Sequence, residues 1–330
     1  MRTKNFLTIA VLAGAMTLAG CTSDNDTVIT ENPNFPADRV IRVTTNIDAP
    51  MTRAGITSDN IDNFNIKINN AANSHYSYYG LCNKQSKAWI SYTDGSMNTP
   101  LTMLWQNSTQ TVTVTALSQM GMMNLTETRF TTAYSYNVES DQSRELELKI
   151  SDILYMQPTI VNPTTDLVDG KLPITFKHLL SKVNISVTLG TELNTTPGTA
   201  TNPISGPMVN GTISKFDWNA SINSTFDLSK YSATAITPFT SAYTAGSGTT
   251  TKAVANYEVI LVPQTVAAGG FSVTFTINNK EYTWTSTDAV NLESGRQHNL
   301  ALTVGKDIVT LGSLSAKAWT EGTGGNIETE

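Results

Sequence analysis

The chain has 330 residues and a formal net charge of −6, with charged side chains at 15% of positions, below the ~25% of an ordinary soluble domain. An acidic chain without basic blocks argues against nucleic acid as a partner. Thr, Ser and Asn fill the polar positions instead, a composition suited to strands and turns that face water outside a cell.

Residues 1–20 read as a secretory signal. Arg2 and Lys4 form a short positive region, residues 6–14 an apolar run, and no Asp or Glu precedes Cys21. The run is too short to span a bilayer permanently. It ends in Leu18-Ala19-Gly20-Cys21, which resembles the lipobox of bacterial lipoproteins. That resemblance implies a cut between Gly20 and Cys21 and acylation of the Cys21 thiol. Two acyl chains anchor stably where one binds only reversibly. The acidic run Thr22-Ser23-Asp24-Asn25-Asp26 resembles the surface-export signal of some anaerobic Gram-negative bacteria, and reads equally well as a plain solvated tether. Residues 21–38 are expected to form a lipidated flexible tether, because they carry Asn, Asp, Thr and Pro with little apolar content. Once Cys21 is lipidated, Cys82 is the remaining thiol. It reads as a buried small hydrophobe, and the fold must stand on its core without an intramolecular disulfide.

From there the periodicity is two almost everywhere. Thr111–Thr115 alternates Val and Thr; Lys182–Leu189 places Val183, Ile185, Val187 and Leu189 on one face. Phe271–Ile277 alternates likewise, and Asn278-Asn279 turns it into Glu281–Trp284, a hairpin signal because Asn tolerates positive φ. Further strands are expected at 40–47, 64–68, 88–92, 130–138, 145–150, 172–177, 208–215, 256–262 and 298–304. The pattern predicts an all-β protein of two antiparallel β-sandwich domains. The polar loop Asn162–Gly170 is the expected boundary, giving an N-terminal sandwich over 39–168 and a C-terminal one over 169–306. Residues 307–330 follow as a further strand and a Gly-rich acidic tail.

Motifs that carry chemistry are missing. His75, His178 and His298 lie far apart, no metal-ligand spacing occurs, and neither a nucleophile elbow nor a phosphate loop is present. No catalytic residue, metal or cofactor is assigned. His178, beside apolar residues, reads as a structural hydrogen bonder, and the five Trp read as core before they read as sugar-stacking platforms. A monomeric glycan-binding surface lipoprotein is the alternative reading, and a hydrolase with two carboxylates brought together by the fold stands behind it.

Phe176-x-His178, followed by Ser181-Lys182-Val183-x-Ile185-x-Val187, resembles the central signature of the fimbrillin family, the subunits of type V pili. Upstream, Asp152-Ile153-Leu154-Tyr155 resembles the strand that precedes it; downstream, Gly295–Val304 resembles the penultimate strand.

The resemblance implies two transthyretin-like, Greek-key sandwiches and export as a lipoprotein to the outer membrane and cell surface. It implies a trypsin-like maturation protease that frees the first strand, and a neighbouring fimbrillin subunit, of the same or another kind, that donates a replacement. Arg39–Ile47 matches the removable strand, with Ile41, Val43 and Ile47 inward. Thr52-Arg53-Ala54 matches the cut, between Arg53 and Ala54. Donor candidates are Val309, Leu311, Leu314 and Trp319, with Gly312 breaking their alternation. A host surface ligand would be a further partner.

Overall fold

The structure, a computed structural model, describes residues 34–48, 61–86, 88–121, 130, 132–193, 201–223, 225–246, 251–306 and 309–318. Side chains of 310–314, 317 and 318 lie outside that description. The alternating segments form strands: β1 (Val43–Ile47), β2 (Asn63–Asn69), β3 (Tyr78–Gln85), β4 (Ala88–Tyr92), β5 (Val112–Gln119) and β6 (Tyr134–Asn137). Helix α1 (Glu145–Ser151) follows, then β7 (Ile153–Val161), β8 (Leu172–His178), β9 (Ser181–Leu189), β10 (Ile204–Asn210) and β11 (Lys215–Trp218). The chain continues through β12 (Phe239–Thr244), β13 (Ala253–Leu261), β14 (Gln264–Val266), β15 (Ser272–Ile277), β16 (Lys280–Thr285), β17 (Val290–Leu292), β18 (Arg296–Val304) and β19 (Val309–Ala318). The protein is all-β, with its sheets in sandwich-like layers.

The first large sheet has seven strands in the order β1-β8-β7-β5-β2-β3-β4. Its pairs are antiparallel except β1 and β8, which run parallel with Val43 opposite Leu172 and Ile47 opposite Phe176. Side chains of one parity enter one core: Phe64, Ile66 and Ile68 from β2, and Leu172, Ile174 and Phe176 from β8. Residues 100–105 link the ends of the sheet. On one side Leu101 N–H donates to the Ser91 carbonyl at 2.7 Å. On the other, Ile41 N–H donates to Met103 O at 2.9 Å, and Trp105 N–H to Arg39 O at 2.8 Å. The sheet thus folds over its core, and segment 39–48 is the seam.

The second large sheet has five strands in the order β12-β13-β9-β18-β19. Central β9 is antiparallel to β13 and parallel to β18. It shares a core with the sheets β10-β15-β16, β11-β6 and β14-β17. The hairpin β15–β16 turns on Asn278 (φ 51°) and Asn279 (φ 64°), both in the left-handed region that a type I′ turn needs. Strand β7 serves both cores by alternation. Leu154 and Met156 enter the first, whereas Ile153 and Tyr155 enter the second. The Tyr155 hydroxyl donates to the Ala220 carbonyl.

Two expectations need correction. Residues 145–150 form α1, not a strand. Glu-Leu-Glu-Leu-Lys-Ile alternates, yet Glu145 pairs with Lys149 at 2.6 Å across one helical turn, Arg144 pairs with Glu147, and Leu148 is buried while Leu146 is exposed. The strand expected at 208–215 is two strands with different partners, β10 on β15 and β11 on β6. Gly211 (φ 88°) divides them, and a Cβ there would lie 1.8 Å from the Gly270 carbonyl oxygen. The loop 162–170 connects β7 to β8 inside the seven-stranded sheet, and the chain passes to the other large sheet at Leu179-Leu180.

Candidate functional site

Segment 39–48 sits where a separable piece of chain would sit. Ile41, Val43 and Ile47 are buried in the first core, so period-two alternation sets their direction. Burying each such side chain contributes about 1.5–3 kcal/mol. The backbone is fixed at both ends of the ladder with β8. Leu172 N–H donates to Arg42 O at 2.7 Å, and Asp48 N–H to Phe176 O at 2.8 Å. Ahead of the strand, Arg39 adopts φ 56° and its Nη1 donates to Gln106 O at 3.1 Å. The Arg42 guanidinium beside Asp38 holds that exposed carboxyl down at about 2. Apolar contact, hydrogen bonds and exposed ion pairs hold the segment, and the described cysteine, Cys82, is a free thiol.

Strand β8 depends on β1. Five residue pairs join β8 to β1, whereas Leu154↔His178 and Tyr155↔Lys177 join it to β7. Beyond those two pairs β7 and β8 diverge around a cleft of about 580 Å³. Removing 39–48 would leave the β1-facing side of β8, together with the backbone at Met103 and Trp105, open to another strand.

At the other end of the chain, β19 is the outermost strand of its sheet, antiparallel to β18 with Val309 opposite Val304 and Ala318 opposite Arg296. Leu311 pairs with Leu302 and Leu314 with Leu300, so the irregularity falls at Gly312-Ser313. Val309 is partly buried and packs against the second core. The side chains of Leu311 and Leu314 lie outside the described residues, as do all of Trp319, Gly20, Cys21, Arg53 and Ala54.

The residues of the Phe-His-Ser-Lys run form a joint between the sheets. Phe176 fills the first core. His178 Nδ1 donates to Asp152 Oδ1 at 2.9 Å with both side chains fully buried, the structural role read from sequence. Lys182, 1% exposed, donates to Glu258 Oε2 at 2.6 Å. Gly295 (φ 65°) donates its N–H to Leu180 O at 2.9 Å, which ties the start of β18 to the crossing. Neither Asp152 nor Glu258 was legible as a partner, since sequence separation hides both pairings.

The family described as Fimbrillin-like matches residues 42–319. The chain belongs to the fimbrillin-like family. Solved structures with a similar fold include a candidate cell adhesion protein from Bacteroides ovatus, 14% identical, covering 86% of this chain and 99% of that one at a TM-score of 0.57. A second candidate cell adhesion protein, from Bacteroides uniformis, is 16% identical and covers 86% of this chain and 100% of that one at a TM-score of 0.51. A fimbrial protein from Bacteroides vulgatus, 13% identical, covers 86% and 100% at a TM-score of 0.50. No curated protein matches the sequence.

Membership places this fimbrillin-like chain among structural proteins rather than enzymes. Among the described residues, no three of His, Cys, Asp and Glu gather where a metal ion could be held. Trp105, Trp218 and Trp284 are buried, and Trp89 is partly buried edge-on to Phe64 at 4.9 Å. These four serve as packing, which weakens the sugar-platform alternative. Cys82 lies in the first core, where burial pushes its thiol up to about 12.

Proposed function

We propose that this protein is a structural subunit of a surface fimbrium that contributes to adhesion and polymerises by protease-triggered strand exchange. The observation that carries the reading is the seam. Segment 39–48 fills the first core with Ile41, Val43 and Ile47 and is held without covalent bonds. It ends five residues before Arg53. A cut between Arg53 and Ala54 by a trypsin-like protease would free it together with the lipid at Cys21. The open edge of β8 would then present unpaired N–H and C=O groups and a row of apolar pockets to a strand from a neighbouring subunit. The donor is the C-terminal strand, whose Val309, Leu311, Leu314 and Trp319 supply the apolar side chains. On this reading the outer membrane holds the precursor until assembly. The two-sandwich division belongs to the same proposal, with the seven-stranded sheet built around the first core.

Treating the purified precursor with a trypsin-like protease tests the reading. The expected product begins at Ala54 and forms multimers that survive mild denaturant, whereas an Arg53→Ala chain stays uncut and monomeric. A chain cut at Arg53 that remains monomeric would contradict strand exchange.

A further inference from the structure

We infer that the cleft between β7 and β8 accepts an extended strand, and that its occupant is this chain's own C-terminal segment, residues 319–330. The inference concerns the uncut chain and stands whether or not strand exchange occurs.

The cleft lies inside a sheet. Strands β7 and β8 are antiparallel neighbours, yet their ladder stops after Tyr155↔Lys177. Strand β8 uses its even-numbered residues on β1: Leu172 N–H donates to Arg42 O, and Phe176 O accepts from Asp48 N–H. Pro173 and Thr175 therefore direct their backbone groups away from β1, towards the cleft. Pro173 has no N–H to give. The two strands cannot complete a ladder with each other, while the carbonyls and the Thr175 N–H can pair with an inserted backbone. Ile160, on the β7 lip, is 72% exposed although it lies in a strand. A third strand in the cleft would cover it.

The path of the chain selects the occupant. Strand β19 runs antiparallel to β18 and ends with Ala318 opposite Arg296. The next two residues in that direction, Gly295 and Ser294, line the cleft mouth. Twelve residues remain after Ala318, enough to reach up to ~40 Å when extended. The six residues 172–177 on the β8 side span ~20 Å. The tail would cross the face of the sheet at the Lys177 end, where the ladder is closed, and run into the cleft antiparallel to β8. Charge agrees with that entry. The Lys177 side chain is 70% exposed at the mouth, already 3.1 Å from Asp48, and Glu321 is the third residue past Ala318. Deeper in the cleft stands Asp166, and the tail residues that would pass it, 322–327, carry no charge. Gly322, Gly324 and Gly325 let the inserted backbone approach both lips closely.

Amide hydrogen exchange on the full chain, and on a chain ending at Ala318, tests this. The expected result is exchange at least tenfold faster at Thr175 and across 157–161 in the shortened chain, with β9 and β13 unchanged. Adding a synthetic peptide of residues 319–330 should restore the slow rates. Equal rates in the two chains would overturn the proposal. Protection that falls on dilution of the full chain would also overturn it, because the occupant would then be another copy's tail. Should the shortened chain lose protection in β9 as well, carbodiimide coupling of the full chain decides. A Lys177–Glu321 cross-link within one molecule, absent from Glu321→Gln, supports the inference, and its absence from the unaltered chain contradicts it.

Discussion

Asp152 and His178 meet, fully buried, where the β7–β8 ladder ends, with Nδ1 donating to Oδ1 at 2.9 Å. Leu154 and His178 are paired in the ladder, so this hydrogen bond pins β8 just before the two strands part. Removing the carboxylate strands a buried imidazole donor. Asp152→Ala should cost about 3–5 kcal/mol of unfolding free energy, and Asp152→Asn, which keeps an acceptor, clearly less. Urea denaturation of both variants checks the order.

Lys182 and Glu258 behave differently as a pair than as individuals. Nζ and Oε2 are 2.6 Å apart and almost without solvent. Lys182→Met leaves a carboxylate buried alone and should cost about 3–5 kcal/mol. The double variant Lys182→Met/Glu258→Leu, which fills similar volume with apolar atoms, should recover most of that loss. A double-mutant cycle in denaturant measures the coupling; simple additivity would mean the pair is not energetically linked.

His298 gives the fold a sensitivity to acid. Burial lowers its pKa below 6.5; Arg296 pushes the same way and Glu293 opposes. The unfolded chain therefore takes up a proton at higher pH than the folded chain does. Stability from this residue is intact above about pH 6.5 and declines as the pH falls from there towards the folded value. Unfolding free energies measured between about pH 7.5 and 5 should fall more steeply for the native sequence than for His298→Gln. Equal slopes would remove His298 from the account.

Ile47, the last residue of β1, anchors the end of the seam against the first core. Ile47→Ala should cost about 2–5 kcal/mol in the uncut chain. After a cut at Arg53 the same loss should appear as faster departure of the freed segment, by about 30-fold for 2 kcal/mol. Rapid separation of the cut protein from its lipidated fragment measures that rate.

Strands that alternate strictly between turn residues were legible. Val183–Leu189 and the Phe271–Trp284 hairpin form with the expected faces, because each buries one side. The inward direction of Ile41, Val43 and Ile47 was legible for the same reason. Residues 145–150 misled because alternation of Leu with Glu fits both periods over one short turn, and tertiary packing of Leu148 decided between them. Non-local pairing left no local trace. Nothing near Val43 announces a parallel partner at Leu172, and nothing near Ile41 announces Met103. The polar loop 162–170 connects β7 to β8, and its composition suits a hairpin connector as well as a linker. The cleft had a signal that could have been read: Pro173, inside a strand, marks a place where a ladder cannot close.

The Leu172 amide tests the central claim most directly. Its N–H donates to Arg42 O, so it reports whether the seam is occupied. Hydrogen exchange at Leu172 should be slow in the intact precursor, fast once residues 21–53 have been cut away and separated, and slow again in the multimers that form afterwards. Protection that persists after the segment has gone, or never returns in the multimers, would contradict exchange of one strand for another.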